Sequence, residues 1–192
     1  MNIEEIVSTA QRECQPLFEE RERLSLLGTQ RVLEAFQKEN VATRHFAPTL
    51  GYGYDDVGRD ALERIFATLF GTEAAIVRPQ IASGTHALSL CLFGLLLPGD
   101  HLLAASGKPY DTLETVIGTE KNEPGSLREM GVEYSEVPLR EEKELDLDAI
   151  ESAIRPNTRV VAIQRSCGYA LRRSLLPREV QPLAEMLHTR HP

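Results

Sequence analysis

The sequence predicts an α/β fold in which helices cover a mostly parallel sheet. From Arg59 onward, segments with helical spacing of apolar residues alternate with short apolar runs of strand length, which is the pattern of βαβ units. The joins carry glycine and proline, as in Leu97-Pro98-Gly99-Asp100, a turn signal. Ahead of this alternation lies a long charged segment with helical spacing and no strand signal, so the sheet is expected to follow a helical arm.

Taken in order, residues 3–38 read as helix: Leu17, Leu24, Leu27, Val32, Leu33 and Phe36 form an apolar stripe, interrupted at Gly28. An arm packed on the body or on a partner is expected, with residues 1–45 as arm and 46–192 as the main domain. Residues 43–58 (TRHFAPTLGYGYDDVG) lack periodicity and are rich in Gly, Tyr and Asp, the composition of a functional loop. Leu62, Ile65, Phe66, Leu69 and Phe70 share a helical face that ends at Gly71. Residues 74–77 read as a short apolar strand and 84–96 as an apolar helix. Residues 101–105 read as a strand, 112–117 as a short helix and 132–137 as an alternating strand. Residues 148–154 read as helix, 159–164 (RVVAIQ) as a buried strand, and 177–188 as a last helix with Pro177 near its start.

Composition narrows the function classes. A chain of 192 residues holds one sizeable core. Its 42% hydrophobic and 26% charged content are ordinary for a soluble protein. With 21 Lys and Arg against 29 Asp and Glu, the net charge is −8, which argues against nucleic acid as a partner. A small anion is another matter, since local backbone amides can hold one. Cys14, Cys91 and Cys167 are widely spaced and odd in number, so neither a disulfide framework nor a zinc site is supported, and a reduced cytoplasmic compartment fits best. His45 and His86 have no ligand-spaced partner, so no metal is expected. The N-terminus lacks the apolar run of a signal peptide, and the longest apolar stretch, residues 87–98, is too short for a membrane span.

Four segments could carry chemistry. Ser83-Gly84-Thr85 opens an apolar helix, where free N–H groups and the helix dipole favour an anion and Gly84 permits close approach; Ser83 or Thr85 could equally be a plain N-cap. No Gly-Lys-[Ser/Thr] or GxGxxG follows, so the site is neither a P-loop nor a dinucleotide fingerprint. Tyr110 follows the 101–105 strand at its carboxyl end, where ligands of open parallel sheets bind, so its ring could stack on a flat cofactor or simply anchor a turn. Lys108, in a Gly-Lys-Pro turn, is expected to be a solvated charge and not a Schiff-base lysine. The Gly51-Tyr52-Gly53-Tyr54-Asp55-Asp56 loop offers phenols and carboxylates. Finally, Gln164-Arg165-Ser166-Cys167-Gly168-Tyr169 follows the RVVAIQ strand, where Arg165 or Arg172 could pair with a substrate carboxylate. Cys167 lacks a neighbouring histidine and is expected to be inert.

In order and spacing, these segments resemble the fold type I pyridoxal 5'-phosphate (PLP) enzymes of Cys/Met metabolism. Ala61-Leu62-Glu63, Ala82-Ser83-Gly84, Pro98-Gly99-Asp100-His101, Tyr110 and the Arg-Pro-x-Thr-[Lys/Arg]-Val-Val string at 155–161 carry the likeness. The longer strings at 51–60 (GYGYDDVGRD), 78–87 (RPQIASGTHA) and 164–169 (QRSCGY) resemble the methionine γ-lyase-like branch, also known as the aluminium-resistance family. That resemblance implies a three-layer α/β/α large domain, present in part, and a carbon–sulfur lyase acting on a sulfur-containing amino acid. Methionine, cystathionine and cysteine conjugates all remain open as substrates.

The resemblance also implies roles. Ser83, Gly84 and Thr85 would cradle the cofactor phosphate, Tyr110 would stack on its ring, and Tyr52, with Tyr54, would reach the phosphate of a neighbouring subunit in a dimer or tetramer. Gln164 and Ser166 would line the cofactor, and Arg165 the substrate. In the wider family an arginine follows the loop tyrosine by two positions; here Tyr54 or Gly53 stands there, so the phosphate clamp must differ. The family pattern continues into an Asp-bearing strand and a Ser-x-x-Lys segment whose lysine holds the cofactor, and neither occurs in these 192 residues. The chain alone is therefore expected to be inactive. It is also expected to be unstable, because strands from that later part would flank residues 74–77. The contrasting expectations are a non-catalytic α/β binding domain or a degenerate remnant of the enzyme.

Overall fold

A computed structural model describes residues 2–49, 56–120 and 123–191. The chain forms two compact units, Met1–Gln80 and Ile81–Pro192.

The first unit is helical. Helix α1 (Ile3–Lys38) starts at a capping box in which Glu5 N–H donates to Asn2 Oδ1 and Asn2 N–H donates to Glu5 Oε2, both at 3.0 Å. Acidic residues in its first turn and Lys38 in its last suit the helix dipole. The helix predicted over 3–38 forms whole, running through both Gly28 and Pro16. A glycine costs a helix only about 1 kcal/mol relative to alanine, which a long cooperative helix absorbs. Of its residues only Ala35 is buried, so the predicted stripe exists but is largely exposed.

Near its C-terminus α1 meets α2 (Val57–Phe70), where Ala35, Ala61 and Ile65 are buried and Arg64 Nε pairs with Glu39 at 2.6 Å. Between them the predicted loop contains a 3-10 turn, Thr43–Phe46. A Cβ on Gly58 would collide with the His45 carbonyl oxygen, so the first turn of α2 rests directly on that backbone. Asp56 caps α2: its Oδ1 accepts from Arg59 N–H at 3.2 Å and its Oδ2 from the Thr49 hydroxyl at 2.7 Å. The Thr49 hydroxyl, chiefly, and Arg59 hold this carboxyl below its ordinary pKa.

The strand expected at 74–77 is absent. Those residues belong to no sheet, and Val77 N–H donates to the Glu63 carboxylate at 3.0 Å, beside the Arg78–Glu63 ion pair. Strand propensity needs a neighbouring ladder to become a strand, and none of the described strands supplies one.

The second unit holds the sheet. Its elements are α3 (Gly84–Leu95), β1 (His101–Ala104), α4 (Asp111–Ile117), β2 (Glu133–Glu136), α5 (Leu147–Ala153), β3 (Thr158–Ala162) and α6 (Pro177–Arg190). The strands are parallel in the order β2-β1-β3. Every residue of β1 is buried, as the middle strand of a covered parallel sheet should be. Successive side chains of a strand face opposite ways. Leu102 therefore packs with Leu96, Ile117, Leu127 and Val132, while Leu103 packs with Val137, Ile150 and Leu183. Leu92 of α3 and Leu113 of α4 join the first cluster, whereas Ile150 of α5 and Leu183 of α6 belong to the second, so helices lie on both faces of the sheet. His101 is buried at the start of β1, between Thr158 Oγ1 at 2.7 Å and Ser135 Oγ at 2.8 Å.

Candidate functional site

Three segments of the second unit converge at the carboxyl ends of β1 and β3. The first is the start of α3. Ser83 is the N-cap, its Oγ accepting from His86 N–H at 3.1 Å, so the capping role weighed for it is real. A helix start leaves its first N–H groups without intrahelical partners, and the serine oxygen takes only that of His86. The N–H groups of Gly84 and Thr85 remain at the dipole's positive end. A Cβ built on Gly84 meets nothing within 4 Å, so open space lies over this turn.

The second segment follows β1. Ser106 is buried, and its Oγ accepts from Gln164 N–H at 2.7 Å, tying the ends of β1 and β3 together. The chain then turns through Gly107 (φ +82) into Tyr110 and α4. Thr112 Oγ1 lies 2.8 Å from Thr85 Oγ1, joining the start of α4 to the start of α3. Lys108 pairs with Glu114 at 2.9 Å and Glu120 at 2.7 Å. These two carboxylates raise its pKa above the ordinary lysine range. It is a surface cation held by two carboxylates, where the sequence predicts a solvated charge.

The third segment, 164–175, wraps around Tyr110. Gln164 Oε1 accepts from Tyr110 N–H at 2.7 Å, and its Nε2 donates to Ser166 O at 3.3 Å. The Tyr169 ring stacks on Tyr110, with centroids 5.8 Å apart and planes inclined by 25°. Their hydroxyls are 3.5 Å apart, long for a hydrogen bond. The Tyr169 hydroxyl, chiefly, with the charge of Asp111, moves the Tyr110 phenol above its ordinary pKa. Arg172 donates to the carbonyls of Gln164 at 3.3 Å and Ser166 at 2.8 Å, and Arg165 Nε donates to Leu175 O at 3.1 Å. Both arginines thus brace the loop. Beside the site is a cavity of about 170 Å³, its wall including Leu88, Leu92, Ser106, Pro109, Leu113 and Gln164.

The predicted residues Ser83, Gly84, Thr85, Tyr110, Gln164, Arg165 and Ser166 all lie in these three segments. Tyr52 and Tyr54 fall outside the described residues. Sequence reading gave no role to Thr112, Ser106 or Tyr169. Nothing local marks the first two, which matter only through bonds to residues 27 and 58 positions away; Tyr169 was visible as the end of a family string. Among the described residues no cluster of His, Cys, Asp and Glu could hold a metal ion, and no helix is long and apolar enough to cross a membrane.

Comparison with known proteins places this geometry in a family. The family model for methionine gamma-lyase matches residues 3–192. An uncharacterized protein of Bacillus subtilis, YnbB, is 50% identical over 163 residues, covering 84% of this chain and 39% of its own. A solved structure from Listeria innocua, provisionally named a cystathionine beta-lyase involved in aluminum resistance, superposes with a TM-score of 0.95 at 43% identity. It covers 100% of this chain and 47% of its own. A carbon-sulfur lyase involved in aluminum resistance from Clostridium novyi NT gives a TM-score of 0.89 at 38% identity, covering 96% of this chain and 44% of its own. The chain thus spans less than half the length of these relatives. By the extent of the family match and the identity along it, the chain belongs to the methionine gamma-lyase family.

Proposed function

We propose that this chain is the phosphate- and ring-binding part of a PLP-dependent carbon–sulfur lyase. In this reading residues 1–45 form a helical arm and residues 46–192 part of a three-layer, fold type I large domain. The observation that carries it is the convergence just described. A helix start with open space over Gly84 is joined, through Thr85 and Thr112, to the turn that bears an aromatic ring. The lyase names of the relatives support the same reading.

The residues present fit the cofactor. The phosphate would lie over Ser83, Gly84 and Thr85, where a β-carbon would intrude, and would accept from the Gly84 and Thr85 amides and the Ser83 hydroxyl. Tyr110 would stack on the pyridine ring, and Gln164 and Ser166 would line its side. Tyr52 and Tyr54 would reach across to a neighbouring subunit of a homo-oligomer in the cytoplasm. Arg165 keeps its terminal guanidinium nitrogens for a substrate carboxylate while its Nε holds Leu175 O. PLP, when bound, supplies the electron sink for a carbanion at the amino acid Cα. The chain's own residues anchor and orient it.

None of the chain's lysines (Lys38, Lys108, Lys121, Lys143) stands in a Ser-x-x-Lys pattern. On this reading the 192 residues bind PLP without turning substrate over. In the whole protein the substrate is a sulfur-containing amino acid cleaved by elimination. The test is equilibrium binding of PLP and of phosphate-free pyridoxal to the chain and its variants. PLP should bind more tightly than pyridoxal, and Gly84→Val and Tyr110→Ala should each weaken PLP. Because Gly84 faces open space, its substitution acts on the ligand and leaves the fold intact. Equal affinity for the two ligands, or indifference to Gly84→Val, would instead indicate a capped helix in a non-catalytic α/β domain.

A further inference from the structure

We propose that Tyr169, with Gly168 behind it, is a positioning residue that fixes the ring of Tyr110 for a flat, phosphate-bearing ligand; this rests on the cofactor reading above. Three independent contacts converge on Tyr110 from one short loop. Gln164 fixes its backbone by accepting from Tyr110 N–H at 2.7 Å. Tyr169 stacks on its ring. Gly168 closes on the ring edge, because a β-carbon there would sit 3.2 Å from Tyr110 Cδ2.

Gly168 is constrained twice over, since its φ of +56° also lies in the left-handed region that favours glycine. The loop is held from behind by Arg172, which grips the Gln164 and Ser166 carbonyls, and Ala170 N–H closes its turn on Cys167 O at 3.0 Å. Tyr169 itself is 82% exposed, so it contributes almost nothing to a core. Its ordered contact is with Tyr110. A tyrosine ring has two faces, and with Tyr169 covering one, the other is presented in a fixed plane. A ring ordered beforehand loses less freedom when a ligand stacks on it.

The experiment measures the affinity of the full 192-residue chain for PLP and, separately, for inorganic phosphate. The variants are Tyr169→Ala, Tyr169→Phe and Gly168→Ala. Tyr169→Ala should weaken PLP about two- to tenfold, the span of an aromatic pair's contribution, and leave inorganic phosphate unchanged. Tyr169→Phe should restore PLP affinity, because the stack and not the hydroxyl is used. Gly168→Ala should weaken PLP without touching phosphate.

Unchanged PLP affinity in Tyr169→Ala, or loss in Tyr169→Phe as large as in Tyr169→Ala, overturns the inference. Tighter PLP binding in Tyr169→Ala overturns it as well, because Tyr169 would then be covering the ligand's own place. Equal weakening of PLP and phosphate overturns it too, as general damage to the loop. If the parent chain binds neither probe, the cofactor reading itself fails and takes this inference with it. If the parent binds PLP and Tyr110→Ala weakens it while the Tyr169 and Gly168 variants do not, only the inference fails.

Discussion

Helix α1 and strand β1 are both apolar enough to be read from sequence, yet α1 leaves Leu26 68% exposed while Leu103 of β1 is 0% exposed. Both elements formed as their spacing predicts. The difference is what each meets. Strand β1 is bonded to a parallel neighbour on either edge and covered by helices on both faces. Helix α1 satisfies its own backbone and, in the first unit, meets α2 only near its end. A helix can exist without burying its stripe, whereas a central strand exists only through its neighbours.

The contrast can be broken most forcefully at Leu103. Leu103→Ala should cost about 2–5 kcal/mol, the range for a fully buried leucine, read as a lower urea midpoint. In the first unit, Gly58 is a tightly packed place. Its alanine variant must push the start of α2 off the His45 carbonyl, at about 1–3 kcal/mol for an overpacked site. Hydrogen exchange should show that loss as faster exchange confined to α2, and uniform acceleration across the chain would contradict it. Removing the cap of α3 with Ser83→Ala should cost about 1 kcal/mol in the same urea assay.

A pH effect follows from His101. Burial, chiefly, and the nearby charge of Arg155 depress its folded pKa. The unfolded chain, with an ordinary histidine near about 6.5, therefore takes up protons that the folded chain does not. Stability from this group is complete above that value and falls as pH drops through it toward the depressed folded value. In His101→Gln the part of the acid-side slope due to this group should disappear; an unchanged slope would show that other groups set it. The smallest effect belongs to α1: Leu26→Ala should stay within about 0.5 kcal/mol of the parent, and a larger loss would mean that the exposed stripe is covered.

Most elements were legible because each rests on local signals. The 101–105 and 159–164 runs became β1 and β3, the alternation at 132–137 became β2, and Leu97-Pro98-Gly99-Asp100 ends α3 where the turn signal stands. The departure lies at residues 74–77, which have strand composition but no ladder to join. At the site, the helix start at Ser83-Gly84-Thr85 and the position of Tyr110 after a strand could both be read directly.

By itself, then, the sequence determined the alternation of helices and strands, the acidic balance, the family strings and the segments that make up the candidate site. Those are written in spacing and composition over a few residues at a time. Only the tertiary structure decided that Thr85 meets Thr112, that Ser106 binds the Gln164 amide, and that Tyr169 stacks on Tyr110. Each contact joins residues dozens of positions apart, and it is the parallel pairing of β1 with β3 that brings their carboxyl ends side by side. Hydrogen bonds and stacking act over a few ångströms of space, and distance along the chain does not encode them.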